Sequence, residues 1–243
     1  MQKLKIFRYL PGQDPYWKDY EVEAGPDDMV LTLLNRIRET IDSTLAYRFS
    51  CRSAVCGSCA MLINGKPRLA CQTRLREVAG EVVTLAPLTG MKVIKDLIVD
   101  MEPYWNNLKR AMPWLEEAPD SKDAVITSKT TDLQESICAC ILCASCYAAC
   151  PETGAQRSYL GPHAIMEGYR ILHDPRDTAA KKRLDVLAGP DGAWHCDGAF
   201  GCIGACPWDV SPVKYLAKVR TESMAVRFGK VKLEELCKEG GDK

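Results

Sequence analysis

Charge of one sign is missing from this 243-residue sequence: 32 Lys and Arg face 32 Asp and Glu, for a net charge of +0 at pH 7. A balanced chain has no generic grip on nucleic acid or on an acidic substrate, so no nucleic-acid partner is expected and any partner is recognised by local surface. Histidine is scarce, with only His163, His173 and His195, and phenylalanine occurs 4 times. A long hydrophobic run is missing too. The longest apolar stretch, Ile137 to Ala149, is studded with cysteine and falls short of the roughly 20 residues a membrane helix needs. The first residues, MQKLKIFRYLPG, lack the apolar core of a signal peptide and alternate Leu4 and Ile6 with Lys3 and Lys5 like a strand. They read as a mature N-terminus on an intracellular, soluble or peripheral protein, which argues against a disulfide framework.

What the chain does have is 13 cysteines, eleven of them in three ordered groups. Cys51, Cys56 and Cys59 read CxxxxCxxC, and Cys71 follows after eleven residues. That is the ligand spacing of a plant-type [2Fe-2S] centre. Gly57 and Ser58 between the ligands are small enough to let backbone approach sulfide. A structural zinc site is the bland alternative, but zinc sites favour paired CxxC or Cys/His units. The second group, Cys140, Cys143, Cys146 and Cys150, reads CxxCxxCxxxCP, the run whose first three cysteines share one cluster while the fourth serves a neighbour. Cys140, Cys143 and Cys146 then need a distant fourth ligand. Cys206, followed by Pro207, has the matching context and completes a [4Fe-4S] set.

The remaining set is Cys150, Cys196 and Cys202. Ala199 stands where a CxxCxxC run would carry its middle cysteine, so one corner lacks a ligand and a [3Fe-4S] centre is expected. Cys138 and Cys237 are left over. Cys138 reads as a small buried apolar residue and Cys237 as an ordinary thiol in a lysine-rich tail.

Around these groups the first hundred residues read as α+β. Strands are expected at Lys3 to Tyr9, Asp19 to Glu23 and Glu81 to Leu85, and a helix over Val30 to Ile41 with Asp27 and Asp28 as possible caps. Asn64-Gly65 marks a hairpin between Met61 to Ile63 and Arg68 to Ala70. Glu102 to Ser136, interrupted by Pro103, Pro113 and Pro119 and acidic at Glu116, Glu117, Asp120 and Asp123, reads as a connection. Beyond it, helices are expected at Leu160 to Leu172, Thr178 to Leu187 and Val213 to Phe228, the last opened by Ser211-Pro212. The division is a β-grasp plant-type ferredoxin domain at 1–103 and an all-helical ferredoxin-like domain at 104–243. His195 reads as a neighbour of ligands or a surface residue, and the basic residues of the last helix as a solvated face or a lipid-facing one. Trp105, Trp114, Trp194 and Trp208 read as a partner surface or as shields for clusters.

These motifs resemble the iron–sulfur subunits of succinate dehydrogenase and fumarate reductase, the complex II family. The resemblance rests on Cys51-Arg52-Ser53-Ala54-Val55-Cys56-Gly57-Ser58-Cys59, Leu69-Ala70-Cys71, the run from Cys140 to Pro151, Gly161-Pro162, Tyr169-Arg170, Asp174-Pro175-Arg176-Asp177 and the closing Cys196, Cys202 and Cys206-Pro207. It implies an electron-transfer subunit at the cytoplasmic face of the cell membrane. The implied partners are a flavoprotein carrying FAD and the dicarboxylate site, and a membrane anchor binding quinone and heme. No residue of this chain is expected to be catalytic. The departures fall at the quinone end: Glu152-Thr153-Gly154-Ala155 lacks the usual tryptophan, Asp197 replaces a histidine, Ala199 a larger aliphatic residue and Trp208 a lysine. The alternative is the matching subunit of a soluble thiol-dependent fumarate reductase or heterodisulfide-type complex.

Overall fold

A computed structural model describes residues 1–78, 80–117, 125–156 and 158–233, without the side chain of Lys129. Asp120, Asp123 and Cys237 lie outside the described residues. The chain is α+β and divides into two compact units, one comprising Met1–Met101, Ile141–Ala149 and Ala205–Pro207, the other Glu102–Cys140, Cys150–Gly204 and Trp208–Lys243.

In the first unit, β1 (Gln2–Arg8), β2 (Tyr16–Val22), β3 (Ala60–Ile63), β4 (Lys66–Leu69) and β5 (Val82–Ala86) form one sheet in the order β2-β1-β5-β3-β4. β1 runs parallel to β5 and the other neighbours are antiparallel. The alternation at the N-terminus has its expected cause: Leu4 and Ile6 are fully buried, while Lys5 between them is exposed. Helix α1 (Val30–Thr40) buries Val30, Leu31, Leu33, Leu34 and Ile37 in the same core. Asp28 does not cap it. Met29 holds that position, and the Asp28 carboxylate accepts from the Gly25 N–H at 3.0 Å and pairs with Arg36 at 2.6 Å. Between β3 and β4, Asn64 and Gly65 take φ of 49° and 75°, the two left-handed residues a type I′ hairpin needs. The strand expected at Asp19 to Glu23 begins earlier, at Tyr16, where pairing with Arg8 extends the ladder. Short elements the pattern does not disclose are α2 (Leu75–Val78), β6 (Val93–Lys95) and β7 (Ile98–Val99).

In the second unit, α3 (Glu102–Arg110) and α4 (Ser128–Cys138) occupy ground expected to be connection. Pro103 sits in the first turn of α3, where its missing N–H has no partner to lose, so the proline that looked like an interruption begins a helix. On α4, Thr130 and Ile137 are buried and Cys138 is exposed, correcting the buried reading of that cysteine: one residue past Ile137, it is turned about 100° away on the helix. α7 (Gly161–Leu172) has every residue buried except Arg170. It follows the short α5 (Ser145–Ala148), which belongs to the first unit, and α6 (Pro151–Ala155), and precedes α8 (Ala180–Leu187), α9 (Gly201–Gly204) and α10 (Pro212–Arg227). Tyr169 of α7 donates to Glu222 of α10 at 2.6 Å, and His173 lies 3.0 Å from the other carboxylate oxygen, so buried polar groups pin the two longest helices together. His163, also buried, stacks on Tyr104 of α3 at 3.8 Å, and burial pushes its pKa down to about 3, leaving it neutral. Among the described residues no helix is long and apolar enough to cross a membrane.

Candidate cluster-binding sites

None of the twelve described cysteines forms a disulfide. The loop from Cys51 to Cys59 is wound so that its amides face sulfur. The N–H groups of Ser53, Val55 and Cys56 lie 3.4, 3.3 and 3.3 Å from Cys51 Sγ, and that of Ala54 lies 3.3 Å from Cys71 Sγ. This winding requires left-handed backbone at Arg52 (φ 60°), Ala54 (φ 59°) and Gly57 (φ 69°). A non-glycine residue held there costs on the order of 1 kcal/mol or more, so the loop stores strain to aim its amides. Such a nest of N–H groups suits negatively charged sulfur.

The thiols there are strongly differentiated. Hydrogen bonds from the Ser58 side chain and within the loop pull the Cys56 thiol down to about 6, while burial pushes that of Cys59 up to about 12. Cys59 and Cys71 both belong to the buried core of the unit, which fixes one side of the site to its rigid part. The four side chains expected to hold [2Fe-2S] are thus brought together, and the donor set fits it: four thiols with amides already directed at two of them.

The same unit carries Cys143, Cys146 and Cys206 of the expected [4Fe-4S] set, and Cys140 immediately precedes its segment. Leu142 (φ 53°) and Ala144 (φ 63°) repeat the left-handed alternation between the cysteines. This segment lies hard against the first loop. A Cβ added at Gly57 would stand 2.7 Å from Cys143 Cβ and 3.0 Å from the Ile141 carbonyl oxygen. Thr89 anchors it further by donating to the Ala148 carbonyl at 2.6 Å.

In the second unit, Cys150, Cys196 and Cys202 line one cavity with Tyr159, Ala199 and Phe200 among its other walls. Cys150 stands just before Pro151, which opens α6, and Cys202 lies on α9. Gly198 (φ 75°) and Phe200 (φ 56°) give this segment its own left-handed pair, and the Gly198 N–H lies 3.4 Å from Cys196 Sγ. Burial raises the Cys150 thiol, and raises that of Cys202 to about 11. Ala199 brings only a methyl group to the wall. The donors fit a centre with three protein thiolates, and the buried Tyr159 hydroxyl, which has no hydrogen-bond partner among the described residues, is a polar atom awaiting an acceptor. Among the described residues no three His, Cys, Asp or Glu side chains gather tightly enough to hold a single metal ion.

Around this cavity, His195 pairs with Glu152 at 3.3 Å and its ring lies 5.1 Å from that of Tyr159. Arg220 of α10 donates to the carbonyls of Ala193 and Cys196 and lies over Trp194, so one of the residues read as a solvated or lipid-facing base instead clamps the ligand segment. Trp105, Trp114, Trp194 and Trp208 are all exposed, from 38% to 48%. Tyr159 is the residue the sequence reading missed. Its position nine residues past Cys150 carries no motif, and only the fold shows what it faces.

Residues 3–106 match the family described as 2Fe-2S iron-sulfur cluster binding domain, and residues 134–207 that described as 4Fe-4S dicluster domain. The chain is 34% identical over 239 residues to the fumarate reductase iron-sulfur subunit of Haemophilus influenzae, covering 92% of this chain and 93% of that one. It is 38% identical over 215 residues to the corresponding subunit of Mycobacterium tuberculosis, with 86% and 87% covered. To the succinate dehydrogenase iron-sulfur subunit of Coxiella burnetii it is 36% identical over 227 residues, with 90% and 95% covered. Among solved structures, a chain of the Mycobacterium smegmatis Sdh1 complex in the apo form superposes with a TM-score of 0.82 at 26% identity, over 93% of this chain and 96% of that one.

Proposed function

This chain belongs to the family of succinate dehydrogenase and fumarate reductase iron–sulfur subunits, and on that premise we propose that it relays single electrons between a flavoprotein's FAD and a membrane quinone. Electron transfer as the iron–sulfur subunit of such an oxidoreductase follows from the family and from the two ferredoxin-type matches. The FAD, the quinone, the heme- and quinone-binding anchor and the cytoplasmic face of the membrane are parts of the proposal. So are the β-grasp description of the first domain, the all-helical ferredoxin description of the second and the division at 103. The ligand sets are proposed as Cys51, Cys56, Cys59 and Cys71 for [2Fe-2S], Cys140, Cys143, Cys146 and Cys206 for [4Fe-4S], and Cys150, Cys196 and Cys202 for [3Fe-4S].

When bound, such clusters supply one-electron redox chemistry. The chain's own part is to hold thiolates, turn amides toward them and keep water from them. Left-handed turns in all three cysteine segments do the aiming. The cores of the two units supply rigid walls, with Cys59, Cys71 and Cys202 buried. Dicarboxylate chemistry belongs to the partner, and spaced one-electron centres let it proceed away from quinone chemistry. The observation that carries the reading is the cavity in which Cys150, Cys196 and Cys202, drawn from two distant stretches of sequence, meet around Ala199.

The purified complex tests it, by electron spin resonance with succinate and then dithionite as reductants. The three-iron centre is expected to give its signal in the oxidised complex and to lose it on reduction, succinate to bring up part of the signal of the other two centres, dithionite to complete it, and Cys71→Ala to remove the [2Fe-2S] signal alone. Loss of the three-iron signal in that variant refutes the ligand grouping. A cysteine-rich soluble partner in place of a membrane anchor favours the thiol-dependent alternative.

A further inference from the structure

Among the described residues that line the three-thiol cavity, Tyr159 is the one that carries a hydroxyl. The side chain is 1% exposed, its hydroxyl has no hydrogen-bond partner among the described residues, and it shares the cavity wall with Cys150, Cys196 and Cys202. Its position is held from several sides. The Tyr159 carbonyl accepts from Asn107 at 2.9 Å, its N–H donates to the Gln156 carbonyl at 3.2 Å, and its ring packs beside that of His195. The following residue, Leu160, is fixed by donating to the Asp191 carbonyl at 2.9 Å. A buried hydroxyl left without an acceptor is destabilising, and phenylalanine would fill the same space without that cost. A tyrosine so firmly placed is therefore accounted for by an acceptor that the described residues do not provide.

We propose that the Tyr159 hydroxyl donates a hydrogen bond to a sulfur of the centre held by Cys150, Cys196 and Cys202, and thereby raises that centre's reduction potential. The proposal rests on the ligand set assigned above. Its physical basis is that reduction adds negative charge to the sulfurs, and a donor aimed at one of them stabilises the reduced form more than the oxidised one. Hydrogen bonds to sulfur are among the levers that set the potential of such centres. The backbone already contributes the Gly198 N–H, 3.4 Å from Cys196 Sγ, but the other polar side chains described nearby are engaged elsewhere: Arg220 with the carbonyls of Ala193 and Cys196, and His195 with Glu152. Tyr159 is thus a tuning residue that takes no part in bond making.

The test is Tyr159→Phe in the assembled complex, with iron content, a potentiometric spin-resonance titration and pulsed resonance after exchange into D2O. The expected result is an unchanged iron content, a retained three-iron signal, a lower midpoint potential and the loss of one exchangeable deuteron coupling. A tenfold weaker reduction equilibrium corresponds to 59 mV for one electron. An unchanged potential and unchanged couplings overturn the proposal. Absence of a three-iron signal in the unaltered complex overturns the ligand set instead, so the two failures are distinguishable. Should Tyr159→Phe lose the centre, site-specific replacement of Tyr159 by 3,5-difluorotyrosine, a stronger donor of nearly the same shape, decides the matter: the potential is expected to rise, and no rise refutes the role.

Discussion

Replacing Gly57 by alanine tests the closest approach in the first unit. The added Cβ would stand 2.7 Å from Cys143 Cβ and 2.8 Å from its Cα, against about 3.4 Å or more for ordinary contact, and φ at Gly57 is +69°. Two costs follow. The left-handed backbone costs alanine roughly 1–2 kcal/mol, and forcing the two segments apart adds about 1–3 kcal/mol. The sum, of order 2–5 kcal/mol, corresponds to a fall in Tm on the order of 10 °C for a unit of this size. Gly65→Ala is the control, since Gly65 has φ +75° in a tight turn but nothing within 4 Å of the added methyl. It carries the backbone cost alone. The assay is thermal melting of the cluster-loaded chain followed by circular dichroism, with spin resonance on the same samples. Gly57→Ala is expected to melt well below Gly65→Ala and to alter the two-iron and four-iron signals while sparing the three-iron one. Equal melting of the two variants would refute the close approach.

Ala199→Cys supplies a fourth thiol to the cavity of Cys150, Cys196 and Cys202. The three-iron signal is expected to give way to that of a four-iron centre of lower potential, and an unchanged spectrum from fully loaded protein counts against the assignment. Acid tests the ion-pair network of Asp42 in the first unit. Burial works against the Asp42 carboxylate, but hydrogen bonds from Lys18, Thr44, Tyr20 and Arg8 outweigh it and hold its pKa well below the usual carboxylate range. A carboxylate whose folded pKa is depressed contributes stability above its unfolded pKa and loses it as pH falls toward the folded one. The gap in urea midpoint between the wild type and Asp42→Asn should therefore be widest at neutral pH and shrink steadily below about pH 4; a gap that stays constant into acid rules out this source of stability.

The elements legible from sequence were those whose residues speak locally. Leu4 and Ile6 alternate with lysines because one face of β1 is buried, and Asn64-Gly65 can take two left-handed residues at little cost, so strand and hairpin could be read directly. α3 and α4 could not. Their burial is carried by few residues, Tyr104 and Asn107 on α3 and Thr130 and Ile137 on α4, and Pro103 looks the same at a helix start as at an interruption. Asp28 shows the same limit on a smaller scale. An aspartate just before a helix suits a cap by type, but Arg36 one helical face away offers it a stronger partner.

The cysteine groups were legible for a different reason. A chain that wraps closely spaced thiols around a compact inorganic core has to reverse its winding between them, and left-handed residues stand between the cysteines of each group: Arg52 and Ala54 in the first segment, Leu142 and Ala144 in the second, Gly198 and Phe200 in the third. The spacing in sequence is the trace of that repeated geometry, and it survives whatever the intervening side chains are. Potential is set by groups with no such trace. Tyr159 reaches its cavity because Asn107 of α3 and the turn before α7 hold its backbone, and Arg220 reaches the Cys196 carbonyl from α10, twenty-four residues on. On the proposed assignment the chain writes the presence of its centres in local spacing and their tuning in tertiary packing, so that relatives sharing every cysteine can still differ in how readily each centre accepts an electron.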